Sequence, residues 1–187
     1  MSTGDDVLAQ RACEGDQQAF IELYNKYEND IYRFAYYLSG EASFASDLFQ
    51  ETWYRVANHF CQGKPVRNFR IWIFTIARNV FIDELRKRKF RRFFLGNAAY
   101  QREGNLEDHF EAEPSIEEEF EFNDAMNMAL DTLAEKQRSA FLLCYVSGLS
   151  TKEAAQVLHI AEGTVKATLF KAVRKMREAL KDFQFTR

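Results

Sequence analysis

The sequence predicts an all-α protein of two small helical domains joined by a flexible acidic linker, the C-terminal domain being a helix-turn-helix. Three observations lead there. Apolar residues recur at steps of three and four through residues 5–90 and again from 116 onward, the period of a helix face. Two prolines and eight glycines in 187 residues are too few for a turn-rich β protein. Charge is segregated: residues 1–92 carry a net +2, residues 93–135 a net −11 and residues 136–187 a net +6. The overall charge of −3 therefore conceals two lobes, one near-neutral and one basic, around an acidic middle.

The elements follow in order. A short helix is expected near Asp5 to Glu14. Phe20, Leu23, Tyr24, Tyr27, Ile31, Ala35 and Leu38 define the apolar face of a second helix. Ala45, Leu48, Phe49, Thr52, Val56 and Phe60 define a third; Phe69, Trp72, Ile73, Ile76, Ala77, Val80 and Leu85 define a fourth. Between these two lies a loop over 61–68, marked by Gly63 and Pro65. The periodicity then fails over 93–115, where Gly96, Asn97, Gly104 and Asn105 interrupt it and acids accumulate up to Pro114. Boundaries are thus expected at 1–92, 93–115 and 116–187, the middle stretch being the linker. Helices resume over Ile116–Ala134 and Glu135–Ser147.

From Gly148 to Leu180 the pattern is that of two helices joined by a tight turn. Ser150 and Glu153 have the spacing of a capping box. Ala154, Ala155, Val157 and Leu158 give the first helix an apolar side, and His159-Ile160-Ala161 forms the turn. Val165, Leu169, Ala172, Val173, Met176 and Leu180 keep one side of the second helix apolar. Its other side carries Lys166, Phe170, Lys171, Arg174 and Lys175. A short helix propping a basic, groove-sized second helix is the way a helix-turn-helix reads DNA.

Other functions lack support. No apolar run reaches the length of a membrane span, so no membrane insertion is expected. The first residues, MSTGDDVLAQ, lack the layout of a signal peptide, so a cytoplasmic location is expected. Cys13, Cys61 and Cys144 are odd in number and far apart, which suits reduced thiols rather than disulfides or a metal site. His59, His109 and His159 form no ligand cluster, and no phosphate-loop, nucleophile-elbow or zinc-protease motif occurs. The expectation is a protein with no catalytic residues, no metal and no cofactor.

Three motifs in one order then make a constellation: GDQQAFIELYNKYENDIYRFA at 15–35, DLFQETWYRV at 47–56 with FRIWIFTIARNVFIDELRKRK at 69–89, and the helix-turn-helix block from Gly148. Together they resemble the extracytoplasmic-function (ECF) class of bacterial RNA polymerase sigma factors. The resemblance covers nearly the whole chain outside the linker. It implies a promoter-specificity subunit whose partners are core RNA polymerase, promoter DNA and an anti-sigma factor. The alternative is a freestanding helix-turn-helix regulator with an N-terminal sensory or partner-binding domain.

Residue by residue, the resemblance places Asp47, Gln50, Glu51, Trp53 and Arg55 at the polymerase interface. With Leu48, Thr52 and Val56 inward, Asp47, Gln50, Glu51 and Tyr54 fall outside at helical spacing, flanked by Trp53 and Arg55. The alternative there is a solvated acidic face with Trp53 turned into the core. The loop at 61–68 matches the segment that pockets an extruded base of the minus-10 element, with Lys64, Arg67 and Asn68 as its polar candidates. Arg78, Asn79, Asp83 and Arg86 continue that site on the following helix, which also carries Trp72, Phe74 and Phe81. Base–aromatic stacking and cations along the backbone suit strand opening, although aromatics at helical spacing also suit a core, where Trp72 is expected. Lys166 and Lys171 match positions that touch the minus-35 element, with Thr168, Phe170 and Arg174 close by. One departure stands out. Ala161 occupies the place where the family often has a serine cap, so the reading helix is expected to start later, with Thr164 as a substitute cap.

Overall fold

A computed structural model describes residues 4–95 and 116–181 of the chain, and every described regular element is helical. The chain divides into two compact units, and the division falls between Asp108 and His109, outside the described residues. The expected linker at 93–115 lies largely outside them too. Its first three residues, however, still belong to the helix that ends at Leu95.

The first unit contains α1 (Gly4–Cys13), α2 (Gln17–Ser39), α3 (Ala42–Cys61) and α4 (Phe69–Leu95). Asp16 starts α2: its side chain accepts from the Ala19 N–H at 3.2 Å. Gly40 ends α2 at φ 73°, a left-handed conformation that glycine adopts without Cβ strain, and its N–H donates to the Tyr36 carbonyl at 2.8 Å. All four helices touch one another. Their centre holds Leu23, Ile31, Phe34 and Leu38 from α2, Leu48 and Val56 from α3, and Phe69, Ile73 and Phe74 from α4. Phe34 and Phe74 meet edge-to-face, with ring centroids 5.4 Å apart. Such pairs hold a fixed geometry as well as apolar area.

The expected faces form the core only in part. Phe34, Tyr37, Phe44, Trp53, Phe74 and Phe81 are buried as well. A helix enclosed by several neighbours is covered on more than one stripe, and a single-stripe reading misses the rest. Leu85, placed on the expected α4 face, is instead exposed.

The second unit contains α5 (Ile116–Asp131), α6 (Glu135–Phe141), a π-helical turn (Leu142–Val146), α7 (Thr151–Leu158) and α8 (Glu162–Ala179). The helix expected to run unbroken to Ser147 thus ends in a wider turn, where the Ser147 N–H reaches back five residues to the Leu142 carbonyl at 2.9 Å. That turn buries Leu142 and Leu143 completely and leaves Tyr145 outside. α8 packs on α5, α6 and α7. Two cations donate to carbonyls at the end of α5: Arg138 Nε to Leu130 at 3.1 Å and Lys175 Nζ to Thr132 at 3.1 Å.

Candidate polymerase and promoter interface

The helix-turn-helix forms for local reasons. The Ser150 side chain accepts from the Glu153 N–H at 3.2 Å, while Glu153 accepts from the Ser150 N–H at 2.8 Å, the reciprocal capping box expected from the sequence. His159 closes α7 at φ 54°, and the Ile160 N–H donates to the Ala155 carbonyl at 3.1 Å, a closure that ends the helix three residues before α8 begins. α8 then starts at Glu162, directly after Ala161, so the later start capped by Thr164 is corrected. Ala161 takes the extended conformation of a cap (φ −65°, ψ 144°), and its carbonyl accepts from Thr164 N and Val165 N. What replaces the missing hydroxyl is charge. Glu162 lies in the first turn, where the helix dipole favours an anion, and accepts from the Thr151 hydroxyl of α7 at 2.9 Å. Its carboxyl is held below the usual value by hydrogen bonds from Lys166 and then Thr151.

Val165, Leu169, Ala172 and Met176 are the buried side of α8. Lys166, Phe170, Lys171 and Arg174 are exposed, and Thr168 is half-buried. At 3.6 residues per turn these five do not form one narrow stripe. Phe170 and Arg174 point outward, Lys166 flanks them on one side, and Thr168 and Lys171 on the other. An open groove of about 640 Å³ runs along the Lys166 side, between Tyr145 and Phe170, with Arg174 and Arg177 at its edge. Tyr145, 62% exposed and part of the π-helical turn, was not among the expected contacts. Lys166 is paired with Glu162 at 2.8 Å. Lys175, expected on the DNA-facing side, reaches the end of α5 instead.

In the first unit, Leu48, Thr52 and Val56 face inward as expected. Asp47 and Gln50 are exposed and Glu51 is half-buried. Trp53 is corrected: at 6% exposure it belongs to the core, with its ring 4.8 Å from Tyr24 and 6.0 Å from Phe20. Those two residues lie one turn apart on α2 and cover the indole. The exposed aromatic of this surface is Tyr54, at 67%. Arg55 acts across helices. Its Nε donates to Glu51 at 2.7 Å and its other guanidinium nitrogen to Asp83 of α4 at 3.2 Å. Burial lowers the Arg55 pKa, but these two carboxylates outweigh it and hold the guanidinium charged. Asp83 also pairs with Arg86 at 3.7 Å. The structure thereby joins the expected polymerase-binding and minus-10 residues through one ionic chain, a link that their separate sequence motifs did not reveal.

The loop between α3 and α4 presents Lys64, Arg67 and Asn68 to solvent while Val66 is buried. Gly63 and Asn68 take left-handed φ values of 65° and 53°. On α4, Asn79 and Arg86 are exposed, and Arg78 and Asp83 are half-buried. Phe74 and Phe81 are core residues, at 0% and 5% exposure, in line with the core reading of aromatics at helical spacing. Trp72 is half-buried, stacked on Phe60 at 6.0 Å and against His59 at 4.7 Å.

A helical unit with a polar cross-helix surface and a second unit that is a capped helix-turn-helix define a DNA-binding transcription protein. Comparison with known proteins sharpens that class. The family models for Sigma-70 region 2 and Sigma-70 region 4 match residues 23–91 and 123–176. The ECF RNA polymerase sigma factor SigL of Mycobacterium tuberculosis is 35% identical over 171 residues, 88% of this chain and 90% of that protein. BldN of Streptomyces coelicolor, also an ECF RNA polymerase sigma factor, is 33% identical over 182 residues, 94% of this chain but 65% of that longer protein. Among solved structures, the sigma factor RpoE of Bartonella quintana in complex with the anti-sigma factor NepR aligns with TM-score 0.69 and 28% identity, over 88% of this chain and 98% of that one. CnrH, solved with the cytosolic domain of CnrY, shares the fold at TM-score 0.73 and 21% identity, over 97% of this chain and 100% of that one.

The chain belongs to the ECF class of RNA polymerase sigma factors. Sigma factors are non-enzymatic initiation factors that direct RNA polymerase to promoters, and that is the role of this chain. The region 2 match over residues 23–91 removes the freestanding-regulator alternative. Among the described residues no helix is long and apolar enough to cross a membrane.

Proposed function

We propose a division of labour along the chain. Residues 1–92 hold core RNA polymerase and read the minus-10 element, residues 93–115 tether, and residues 116–187 read the minus-35 element. The α3 surface of Asp47, Gln50 and Glu51 takes the polymerase, with Tyr54 as its aromatic contact and Arg55 positioning Glu51 rather than touching the partner. An exposed carboxylate and amide set around one aromatic suits a polar protein interface. Lys64, Arg67 and Asn68 address an extruded minus-10 base, and Arg78, Asn79, Asp83 and Arg86 follow the strand along α4. Lys166, Thr168, Phe170, Lys171 and Arg174 enter the major groove at minus-35. Lysine at a base edge lacks arginine's rigid fork, so some of these contacts position on phosphate rather than specify.

The chain acts in the cytoplasm, where its polymerase is, and an anti-sigma protein restrains it, as the RpoE–NepR pair suggests. One observation carries this reading most strongly. The side of α8 opposite the buried Val165, Leu169, Ala172 and Met176 carries cations and an exposed phenyl ring, directly behind a fully capped supporting helix. The test is run-off transcription with purified core polymerase. Specific transcripts should appear only when the chain is added. Tight binding of duplex DNA by the chain alone, without initiation, refutes the proposal.

A further inference from the structure

α1 lies outside the stretch matched by the region 2 family model, which begins at residue 23. Its first turn and its last residue nonetheless reach the loop between α3 and α4 from two sides. The Asp6 carboxylate accepts from the Phe69 N–H, the first of α4, at 2.9 Å. The Cys13 thiol donates to the Lys64 carbonyl, midway along the loop, at 3.1 Å. These contacts join residues 63 and 51 positions apart in sequence. α1 is itself fixed to α2, because Asp5 accepts from the Tyr27 hydroxyl at 2.6 Å and pairs with Lys26. Ala9 and Ala12, buried and small, let its backbone approach the other helices closely.

Between the two anchored points the loop has little freedom. Pro65 has a fixed φ and no N–H to donate. Val66 is buried. Asn68 is held at φ 53°, a conformation that costs a non-glycine residue energy and persists where neighbours over-determine it. Here the neighbours are the Trp72 N–H, bonded to the Asn68 carbonyl at 3.0 Å, and Asp6 on the next residue. A carboxylate at the start of α4 also suits that helix's dipole. The thiol of Cys13 is pushed up in pKa by burial and then by Glu14, which keeps the proton that the bond to Lys64 requires.

We propose that α1 is the positioning element of the minus-10 reading loop, with Cys13 fixing the backbone at Lys64 and Asp6 fixing the entry into α4. The proposal rests on the reading of residues 61–68 as the base-reading loop. Asp6 and Cys13 touch no DNA; they set where Lys64, Arg67 and Asn68 point. Their loss therefore blunts discrimination among minus-10 sequences more than it lowers polymerase association.

The experiment compares run-off transcription by the full chain with core polymerase on a promoter it uses and on single-base minus-10 variants of that promoter. Asp6→Ala should lower the discrimination ratio about fivefold, the loss of one capping hydrogen bond expressed as an equilibrium ratio. Cys13→Ala should lower it about twofold. Asp6→Asn and Cys13→Ser, which keep an acceptor and a donor, should restore it, with core association unchanged throughout. The double variant Lys64→Ala/Arg67→Ala separates the two ideas. If it lowers discrimination while Asp6→Ala and Cys13→Ala do not, the role of α1 is overturned and the loop assignment stands. If it leaves discrimination intact, the loop reading fails and this inference with it. Should Asp6→Ala unfold the first unit, Cys13→Ala decides alone, and an unchanged ratio overturns the proposal.

Discussion

The placement of Trp53 has a quantitative consequence. The indole is 6% exposed, and its ring lies 4.8 Å from Tyr24, 6.0 Å from Phe20 and 6.4 Å from Phe49. Trp53→Ala removes a large buried side chain and leaves a cavity, at a cost of about 3–5 kcal/mol. For a domain of this size each kcal/mol lowers Tm by about 4–8 °C, so a fall of about 12–40 °C is expected. Trp53→Phe should behave differently. The indole Nε1 is buried without a hydrogen-bond partner. Replacing it loses apolar area but removes an unsatisfied donor that costs about 1–3 kcal/mol, so the net change should stay within about 1 kcal/mol. Urea titration followed by tryptophan fluorescence is the assay. The chain's two tryptophans both lie in the first unit, so after either substitution Trp72 still reports that unit alone. A Trp53→Ala variant as stable as the parent chain but poor at binding polymerase would refute the buried placement and return Trp53 to the interface.

Three further outcomes are expected. Glu51→Lys should weaken association with core polymerase at least about tenfold, one charge reversal in a polar interface, while stability falls by less than about 1 kcal/mol because the Arg55 pair is more than a third exposed; a pull-down with core enzyme and a thermal melt check both. Lys171→Ala should cost about 1–3 kcal/mol at the cognate minus-35 element if the lysine reads a base, whereas a uniform loss on all sequences with a shallower salt slope identifies a phosphate contact. Ala161→Ser should supply the absent hydroxyl cap and stabilise the second unit by about 0.5–2 kcal/mol, read by far-ultraviolet circular dichroism during heating.

The parts of the fold that were legible in sequence are the ones set locally. The capping box of Ser150 and Glu153, the turn at His159 and the inward set of Leu48, Thr52 and Val56 depend on residues within a few positions of each other, and the structure places them as read. Trp53 could be read either way, and Phe74 and Phe81 lay outside the expected stripe of α4, because their burial is decided by a second or third neighbouring helix, which no single helical period encodes. The π-helical turn at Leu142–Val146 was invisible for a related reason. It buries the consecutive Leu142 and Leu143 and leaves Tyr145 exposed, an arrangement set by packing within the unit rather than by local period. The ionic chain Glu51–Arg55–Asp83–Arg86 crosses from α3 to α4. Each residue in it could be marked as polar and functional, but only the packing shows that Arg55 bridges Glu51 and Asp83.

The same packing changes what the basic charge of the chain means. Counted in sequence, the cations suggest a protein that grips DNA unaided. In the structure many are engaged: Lys166 by Glu162, Lys175 by the Thr132 carbonyl, Lys87 by Glu84, and Arg88 by the Phe44 ring and Glu41. A cation already paired with a carboxylate gains less from a phosphate, because the existing partner must be given up first. Each unit by itself should therefore hold DNA weakly. The tether raises the effective concentration of one unit on the duplex once the other is bound, and a scaffold that holds both raises it further. For a sigma factor the scaffold is the polymerase, so modest free affinity for DNA is the behaviour that keeps promoter recognition conditional on the enzyme.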